Sequence, residues 1–251
     1  MAKKKIELPK KYSQFLWKKG GKIPEHKKYI GKPCVSWSQI ESFNSKAGFN
    51  TGLLGKYEYI QKYFLGYKFP DMGWGTFGSQ VEDYITERKG KENFDEKELE
   101  TLDKIKPLGT YQEEILIYIE KLDTVVLGYL DDSTPPEGKI IKKLRDYKTK
   151  SENSKKDLHK PGKHQIEIYL LGLRKKGFEV EEAEYCIIER LGGYECMQGG
   201  GREVLKVGKK IWYEPYNWTD KRLQETEKLM ADTIVQISEL FKTYVKLFNQ
   251  N

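Results

Sequence analysis

A period-two alternation of apolar and polar residues within residues 113–149 is the feature that most constrains the fold of this chain. The stretch EEILIYIEKLDTVVLGYLDD, residues 113–132, alternates on both sides of residues 121–123. Successive side chains of a strand point to opposite faces, so the pattern predicts two strands joined by a hairpin turn. The proline-rich STPPEG, residues 133–138, then predicts a turn, and KIIKKLRDYKT, residues 139–149, predicts a third strand.

Most other apolar residues recur at a helical period, and two more strand patterns follow later in the chain. Helices are predicted after an N-cap at Ser36 or Ser38, over residues 53–67, from Phe77 to Gly90, over residues 95–106 and 164–177, and from Thr219 to the C-terminus. The two further strands are predicted over residues 181–191 and 202–216. This order of elements predicts an α/β protein with a central mixed β-sheet flanked by helices.

The chain length and composition predict one sizeable folded domain. Residues 1–35 are basic and broken by prolines, so we expect an irregular N-terminal segment there. Residues 36–251 are expected to form the domain, with a helical N-terminal part and a long C-terminal helix. The chain contains 17 Tyr, 10 Phe and 5 Trp, which argues against disorder. It has no run of eighteen apolar residues, so no membrane partner is expected.

The three cysteines, Cys34, Cys186 and Cys196, have neither an even count nor a CxxC spacing. This pattern does not predict a disulfide framework, a zinc site or an iron–sulfur cluster. A reducing cytoplasm is therefore the expected compartment.

The chain carries a net charge of +7 and has a pI near 9.0. Its lysines are dense around the third predicted strand, at Lys139, Lys142, Lys143, Lys148, Lys150, Lys155, Lys156, Lys160 and Lys163. Such a cluster can be a solvated surface or a site for a polyanionic partner such as DNA.

Asp146 and Lys148 stand two residues apart in the third predicted strand, so both side chains point to one face. On an exposed strand they would form an ion pair that contributes about 0–1 kcal/mol. In a cleft they could form half of a metal-dependent phosphodiesterase site. Asp131, at the end of the preceding strand, can approach Asp146 across the hairpin. Strand alternation favours Asp131 over its neighbour Asp132, although Asp131 could also cap the following turn.

Four separated fragments complete the pattern, and they occur in a fixed order: Gly78–Glu82 (GSQVE), Gly128–Asp131 (GYLD), Asp146–Lys148 (DYK) and Gln165–Tyr169 (QIEIY). In this order the chain resembles the PD-(D/E)xK nuclease superfamily, and most closely its RecB-like exonuclease branch. The segment SWSQIESF is similar to the N-terminal helix of that branch. The resemblance spans roughly residues 34–190 and implies a restriction-endonuclease-like core.

The resemblance implies a role for each matching residue. Glu82, Asp131, Asp146 and Lys148 would be catalytic, and the first three would bind a metal together with the carbonyl of Tyr147. Because all of these ligands are oxygens, Mg²⁺ or Mn²⁺ is expected rather than zinc. The residues expected to contact DNA are Gln165, Tyr169, Ser38 and Lys150. A glycine at position 78 is expected to let its helix approach the sheet closely enough for Glu82 to reach the site.

The resulting hypothesis is a metal-dependent DNase that acts on single- or double-stranded DNA. The QxxxY motif favours an exonuclease by analogy, in recombination, repair or replication, and a phage or mobile-element origin would suit a short chain. The alternative is a nucleic-acid-binding or inhibitory protein on a nuclease scaffold without turnover. Two features differ from the family. The four iron–sulfur cysteines of several relatives are missing, and none of His26, His159 and His164 stands at the position of Glu82, where many relatives carry histidine.

Overall fold

The computed structural model describes residues 29, 32–44, 54–65, 67, 73–154 and 165–249. The chain divides into two compact units. The first unit comprises Met1–Phe69, Leu116–Gly128 and Asp220–Asn251, and the second comprises Pro70–Ile115 and Tyr129–Thr219. The assignment of residues 36–251 to one nuclease domain stays a prediction.

Six strands form a mixed sheet, and five of them correspond to strands that the sequence predicts. The strands are β1 (Cys34–Ser36), β2 (Thr110–Ile119), β3 (Thr124–Ser133), β4 (Ile140–Lys150), β5 (Glu179–Leu191) and β6 (Lys206–Pro215). Their order is β1-β3-β4-β5-β6, and β2 also pairs with β3. Strands β1 and β3 are parallel, as are β4 and β5, whereas β3 with β4 and β5 with β6 are antiparallel.

Helices precede, separate and follow the strands. They are α1 (Trp37–Asn44), α2 (Leu54–Tyr59), α3 (Trp74–Glu87), α4 (Glu96–Leu102), α5 (Gln165–Lys175), α6 (Gly193–Glu195) and α7 (Asp220–Asn249). Helix α2 continues into a π-helical turn, and Asp95 caps α4 through a capping box with Glu98. The mixed sheet with its helices confirms the α/β class that the order of sequence patterns predicts.

Several predicted boundaries are wrong. The last strand begins at Lys206 rather than at residue 202, because Arg202–Val204 form a 3₁₀ turn. The segment before residue 36 is not wholly irregular, because β1 pairs with β3 there, and three residues are too few to give a strand pattern. Helix α3 begins at Trp74 rather than near Phe77. Helix α4 ends at Leu102 and not at 106, because Ile105 leaves the helix to become fully buried in the core of the second unit.

Ser36 rather than Ser38 caps α1. The Ser36 hydroxyl oxygen accepts the main-chain N–H of Gln39 at 3.2 Å, and the Gln39 side chain accepts the main-chain N–H of Ser36 at 2.7 Å. This reciprocal pair satisfies two N–H groups that a helix start otherwise leaves without partners.

Helix α7 supplies much of the core of the first unit. Its buried positions include Leu223, Met230, Ile234 and Ile237. The predicted buried positions Leu229 and Leu240 are only partly buried, and the side chain of Tyr244 lies outside the described residues. Aromatic rings pack within the same unit: Phe43 against Tyr59 at 5.2 Å, and Phe64 against Phe241 at 5.5 Å.

Helix α3 is held in the second unit by one apolar stripe. Phe77, Val81 and Ile85 recur at four-residue intervals, and all three are buried in one cluster with Tyr147 and Ile188 of the sheet. A different stripe of the same helix carries Gly75, Gly78 and Glu82. The packing of the apolar stripe therefore fixes the direction in which Glu82 points.

The expectation that Gly78 permits a close approach of helix and sheet is wrong. A Cβ atom at Gly78 would meet only the Thr149 hydroxyl oxygen, at an ordinary contact distance of 3.7 Å. The close approach occurs instead at Gly73, just before the helix. There φ is +83°, and a Cβ atom would lie 2.4 Å from the main-chain nitrogen of Arg202.

These two glycines give a paired test of stability. We expect Gly78→Ala to raise the free energy of unfolding by about 0.5–1 kcal/mol, because alanine is the better helix residue and space for its methyl group exists. Gly73→Ala should lower it, because the backbone conformation and the Arg202 backbone both oppose a Cβ atom. Urea unfolding of both variants measures the difference, and a destabilising Gly78→Ala would contradict the packing described for α3.

Candidate active site

An open cleft of roughly 380 Å³ lies in the second unit, between α3, the sheet and the start of α5. Helix α3 lines it with Gly75, Gly78 and Glu82, and the sheet lines it with Asp131 and Lys148. Gln165 lines it from the first turn of α5. Residues that are distant in the sequence are thus brought to one concave surface, which is where binding sites commonly form.

Asp131, Asp146 and Lys148 form the charged centre of this site. The Lys148 ammonium lies 2.5 Å from Asp146 Oδ2 and 3.9 Å from Asp131 Oδ2. Asp146 is completely buried and Asp131 is nearly so, whereas a quarter of the Lys148 side chain is exposed. Two acids and one lysine therefore share a site with little access to water.

Antiparallel pairing of β3 and β4 produces this convergence. Asp132 of β3 pairs with Arg145 of β4. Its neighbour Asp131 accepts the main-chain N–H of Tyr147 through Oδ2 at 2.9 Å. Strand alternation then places the side chains of Asp146 and Lys148 on the face that Asp131 also uses. The turn predicted at residues 133–138 is the element that joins these two strands.

Asp132 has a separate, structural set of contacts. Its carboxylate accepts the main-chain N–H groups of Leu108 and Gly109 at 2.7 and 3.2 Å. It also accepts the Tyr147 hydroxyl at 2.7 Å. These bonds hold the turn before β2 and the Tyr147 ring, so the oxygens of Asp132 already have partners away from Asp146.

Glu82 reaches the cleft from α3 and contacts a residue that the sequence analysis did not identify. The Gln112 side-chain amide donates a hydrogen bond to Glu82 Oε1. Gln112 itself has a positive φ of 53°, which is uncommon for a residue with a side chain. No motif marks Gln112 in the sequence, because its role depends on this local backbone conformation.

The acids of the site are harder to ionise than usual. Burial, followed by the negative charge of Asp146, raises the pKa of Asp131 to about 8. Burial and then the charge of Asp131 raise the pKa of Glu82 to about 7. Burial also raises the pKa of Asp146. For Lys148, burial alone would lower the pKa, but the neighbouring carboxylates outweigh it and raise the pKa, so the ammonium keeps its proton.

The donor set fits a hard divalent cation. Neither carboxylate oxygen of the buried Asp146 accepts a hydrogen bond of good geometry from any described residue, and its close neighbours are the Lys148 ammonium and the Asp131 carboxyl. Buried oxygens without donors are unfavourable unless a cation satisfies them. The two aspartates and the Tyr147 carbonyl are oxygen ligands, which suit Mg²⁺ or Mn²⁺.

Glu82 is the weakest of the predicted metal ligands. Within the described part of the chain, no three Asp, Glu, His or Cys side chains lie close enough together to hold one metal ion. A cation at the aspartate pair would therefore need the Tyr147 carbonyl and water molecules to complete its shell, which is the usual manner of Mg²⁺. A role for Glu82 as a ligand stays a prediction.

The QxxxY pair contacts the charged centre itself. The Gln165 amide donates to the Tyr169 hydroxyl, and that hydroxyl donates to Asp131 Oδ1 at 3.3 Å. The Lys148 ammonium donates to Gln165 Oε1 at 3.3 Å. Tyr169 is completely buried. The pair thus orients Asp131 and Lys148, and its predicted contact with a DNA phosphate stays a prediction.

The remaining predicted DNA contacts differ in position. Lys150 lines the cleft at the end of β4. Ser38 belongs to the first unit, where its hydroxyl lies 2.9 Å from that of Ser36. Four lysines of the predicted basic cluster, at positions 155, 156, 160 and 163, lie outside the described residues, as do all three histidines.

Two further cleft residues were not singled out from the sequence. Trp74 begins α3, and Arg190 lies on β5 beyond Ile188, which also lines the cleft. No sequence signal places Arg190 in the cleft, because the β5–β6 register shifts between Ile188 and Arg190 and nothing in the sequence pairs β5 with α3.

The sequence matches no model of a known protein family and no curated protein. All three cysteines are buried, and none forms a disulfide within the described residues. None of the helices in the described ranges has the length and apolar character needed to cross a lipid bilayer. The proposed function therefore rests on the geometry of the cleft.

The raised pKa of Glu82 predicts a pH-dependent effect on stability. The pKa rises from its usual 4.5 to about 7 on folding, so the folded chain keeps a proton that the unfolded chain loses. Stability should therefore fall as pH rises from about 4.5 to about 7. Because Glu82→Gln removes this loss, its free energy of unfolding relative to wild type should be higher at pH 8 than at pH 5.

Urea unfolding at both pH values, in EDTA, measures this difference. The exposed Glu100 on helix α4 provides the control, and Glu100→Gln should leave the difference between the two pH values as it is in wild type. An equal effect of Glu82→Gln at pH 5 and pH 8 would show that the carboxyl of Glu82 titrates normally.

Proposed function

We propose that the protein is a metal-dependent deoxyribonuclease that hydrolyses phosphodiester bonds. The observation that carries the proposal is the convergence of the buried Asp146 with Asp131 and Lys148, which line an open cleft. A buried pair of acids with an unsatisfied carboxylate is unfavourable for stability alone, and such perturbed groups are typical of functional sites. The net charge of +7 is consistent with a polyanionic substrate.

The proposed metal is Mg²⁺ or Mn²⁺, held by Asp131, Asp146 and the carbonyl of Tyr147. A bound cation of this kind makes a water molecule more acidic and offsets charge on a phosphoryl group. Tyr147 contributes through its backbone in two ways, because its N–H holds Asp131 and its carbonyl accepts Lys148 at 3.2 Å. The chain thus preorganises oxygens that would otherwise repel one another.

Lys148 is proposed to stabilise negative charge on the phosphate in the transition state. Its carboxylate neighbours favour the protonated form, so it can offer a positive charge and N–H donors. Abstraction of a proton from water by Lys148 is not favoured in this arrangement. Gln165 and the Tyr147 carbonyl hold the ammonium at 3.3 and 3.2 Å and thereby restrict its position.

The finer assignments are proposals that rest on the resemblance described above. We propose membership of the PD-(D/E)xK superfamily in its RecB-like branch, exonucleolytic action on DNA and a cytoplasmic location. The spacing of Gln165 and Tyr169 supports the branch, since both residues lie on one face of α5 and contact the proposed catalytic groups.

Substitution of Asp146 tests the activity directly. Asp146→Asn keeps the size of the side chain but removes the charge that a cation needs, so we expect cleavage of end-labelled linear DNA in Mg²⁺ to fall at least ~100-fold. Asp83→Asn, which changes an exposed acid of the same unit, should cleave as wild type does. Wild-type cleavage that persists in EDTA, or an Asp146→Asn rate within tenfold of wild type, would contradict the assignment.

Substitution of Lys148 separates chemistry from binding. Lys148→Ala should lower the single-turnover rate by roughly 100-fold, because the lost charge acts on the transition state, while DNA affinity in Ca²⁺ changes little. Lys142→Ala is the matched control, since Lys142 is exposed on the same strand and pairs with Glu137 at 3.0 Å. Normal cleavage by Lys148→Ala would reduce the Asp146–Lys148 contact to a structural ion pair.

A further inference from the structure

Arg190 is a cation in the cleft, and none of the described residues gives it an anionic partner. Its Nε atom is buried and has no hydrogen-bond acceptor, and no carboxylate or carbonyl of the described residues pairs with its guanidinium. Two other arginines of the same unit are satisfied. Arg145 pairs with Glu184 at 2.7 Å and donates to the Lys106 carbonyl at 2.8 Å. Arg202 donates to the Leu205 carbonyl at 3.0 Å.

The surroundings of Arg190 leave its charge uncompensated. The guanidinium carbon lies 4.9 Å from the centre of the Trp74 ring, so one face of the group stacks on an aromatic surface. Burial lowers the pKa of Arg190, although an arginine stays protonated in proteins. A partly buried cation without a counter-charge is unfavourable, and an anionic ligand would offset that penalty.

The fold fixes the direction of Arg190. The β5–β6 register shifts between Ile188 and Arg190, which is the signature of a β-bulge. Between them, the Glu189 carboxylate accepts the main-chain N–H groups of Lys209 and Lys210 at 2.9 and 3.2 Å. Gly208 makes room for this carboxylate, since a Cβ atom there would lie 2.2 Å from Glu189 Oε2. The bulge is therefore built into the strand.

The wall of the cleft that α3 forms leaves room for the backbone of an extended ligand. A Cβ atom at Gly75 would meet no atom within 4 Å, and Gly78 is nearly as free. The helix surface beside Trp74 thus lacks side chains at these positions, which lets an extended ligand pass close to it. Arg190 itself contacts none of Asp131, Asp146 and Lys148, so it is available to a different group of the same ligand.

We propose that Arg190, supported by Trp74, binds a backbone phosphate of the nucleic-acid strand next to the phosphate that is cleaved. The proposal rests on the proposed function, because it takes the substrate to be DNA lying in this cleft. Guanidinium groups bind phosphate oxygens through two parallel hydrogen bonds, whereas lysine offers only a point charge. Arg190 is therefore a positioning residue that anchors the strand while the reaction occurs elsewhere in the cleft.

The test measures binding of a fluorescent single-stranded oligonucleotide by anisotropy in Ca²⁺, over a series of salt concentrations. Arg190→Gln should weaken affinity about 10- to 100-fold, as expected for loss of a hydrogen bond to a charged group. The slope of log K against log salt should fall in magnitude by about 0.7, the value for one phosphate contact on a single strand. Arg190→Lys should keep the slope but lose part of the affinity.

Arg88→Gln is the matched control. Arg88 also stacks on an aromatic ring, with its guanidinium 5.1 Å from the centre of Tyr84, but it is exposed and pairs with Asp103 at 2.9 Å. Its substitution should leave affinity and slope unchanged. At saturating DNA in Mg²⁺, the single-turnover rate of Arg190→Gln should fall by a smaller factor than its DNA affinity, because the substitution chiefly removes a binding contact.

Each outcome decides the proposal. An Arg190→Gln variant that binds DNA with the wild-type slope overturns it, even if the variant is less thermally stable. If Arg190→Gln does not fold, the Arg190→Lys variant provides the test. DNA binding by Arg190→Lys with the affinity of wild type would overturn the proposed phosphate contact. If Arg190→Gln lowers the salt-dependence slope but the wild-type protein cleaves no DNA, the phosphate contact of Arg190 is supported and the nuclease activity is refuted. A wild-type protein that binds no oligonucleotide refutes both.

Discussion

The candidate site depends on one electrostatic arrangement, in which a single ammonium group lies between two buried carboxylates. Lys148 approaches Asp146 to 2.5 Å and Asp131 to 3.9 Å. One positive charge cannot neutralise two negative charges, and burial raises the pKa of both acids. Replacement of buried ions by apolar residues is often neutral or stabilising, so such a cluster is weak evidence of a role in stability. A function that requires negative charge at this position, such as the binding of a cation, explains the cluster better.

The surrounding structure holds this arrangement from three sides. The β3–β4 hairpin fixes Asp131 against the backbone of Tyr147. Helix α5 adds the Tyr169 hydroxyl on Asp131 and Gln165 on Lys148. The buried stripe of α3 directs Glu82 toward the cleft. Each element packs through its apolar residues, so the core of the second unit and the geometry of the site are parts of the same packing.

The sequence predicted the sheet and the hairpin because strand patterns are local signals and each of the two hairpin strands is ten residues long. It also predicted that Asp131, and not Asp132, shares a face with Asp146. It could not predict Gln112 or Arg190. The contact of Gln112 depends on a positive φ, and Arg190 on a β-bulge that pairs residues distant in the chain. The three-residue strand β1 was missed because tertiary pairing alone creates it.

The most direct test of the central claim is an anomalous-difference map from crystals of the wild-type protein soaked with Mn²⁺. The proposed function predicts a peak within coordination distance of both the Asp131 and Asp146 carboxylates, at about 2.0–2.6 Å, the range for hard cations bound by oxygen. The same soak of Asp146→Asn crystals should lose the peak. Ordered wild-type crystals with no peak at these carboxylates, and with Lys148 still paired to Asp146, would contradict the account.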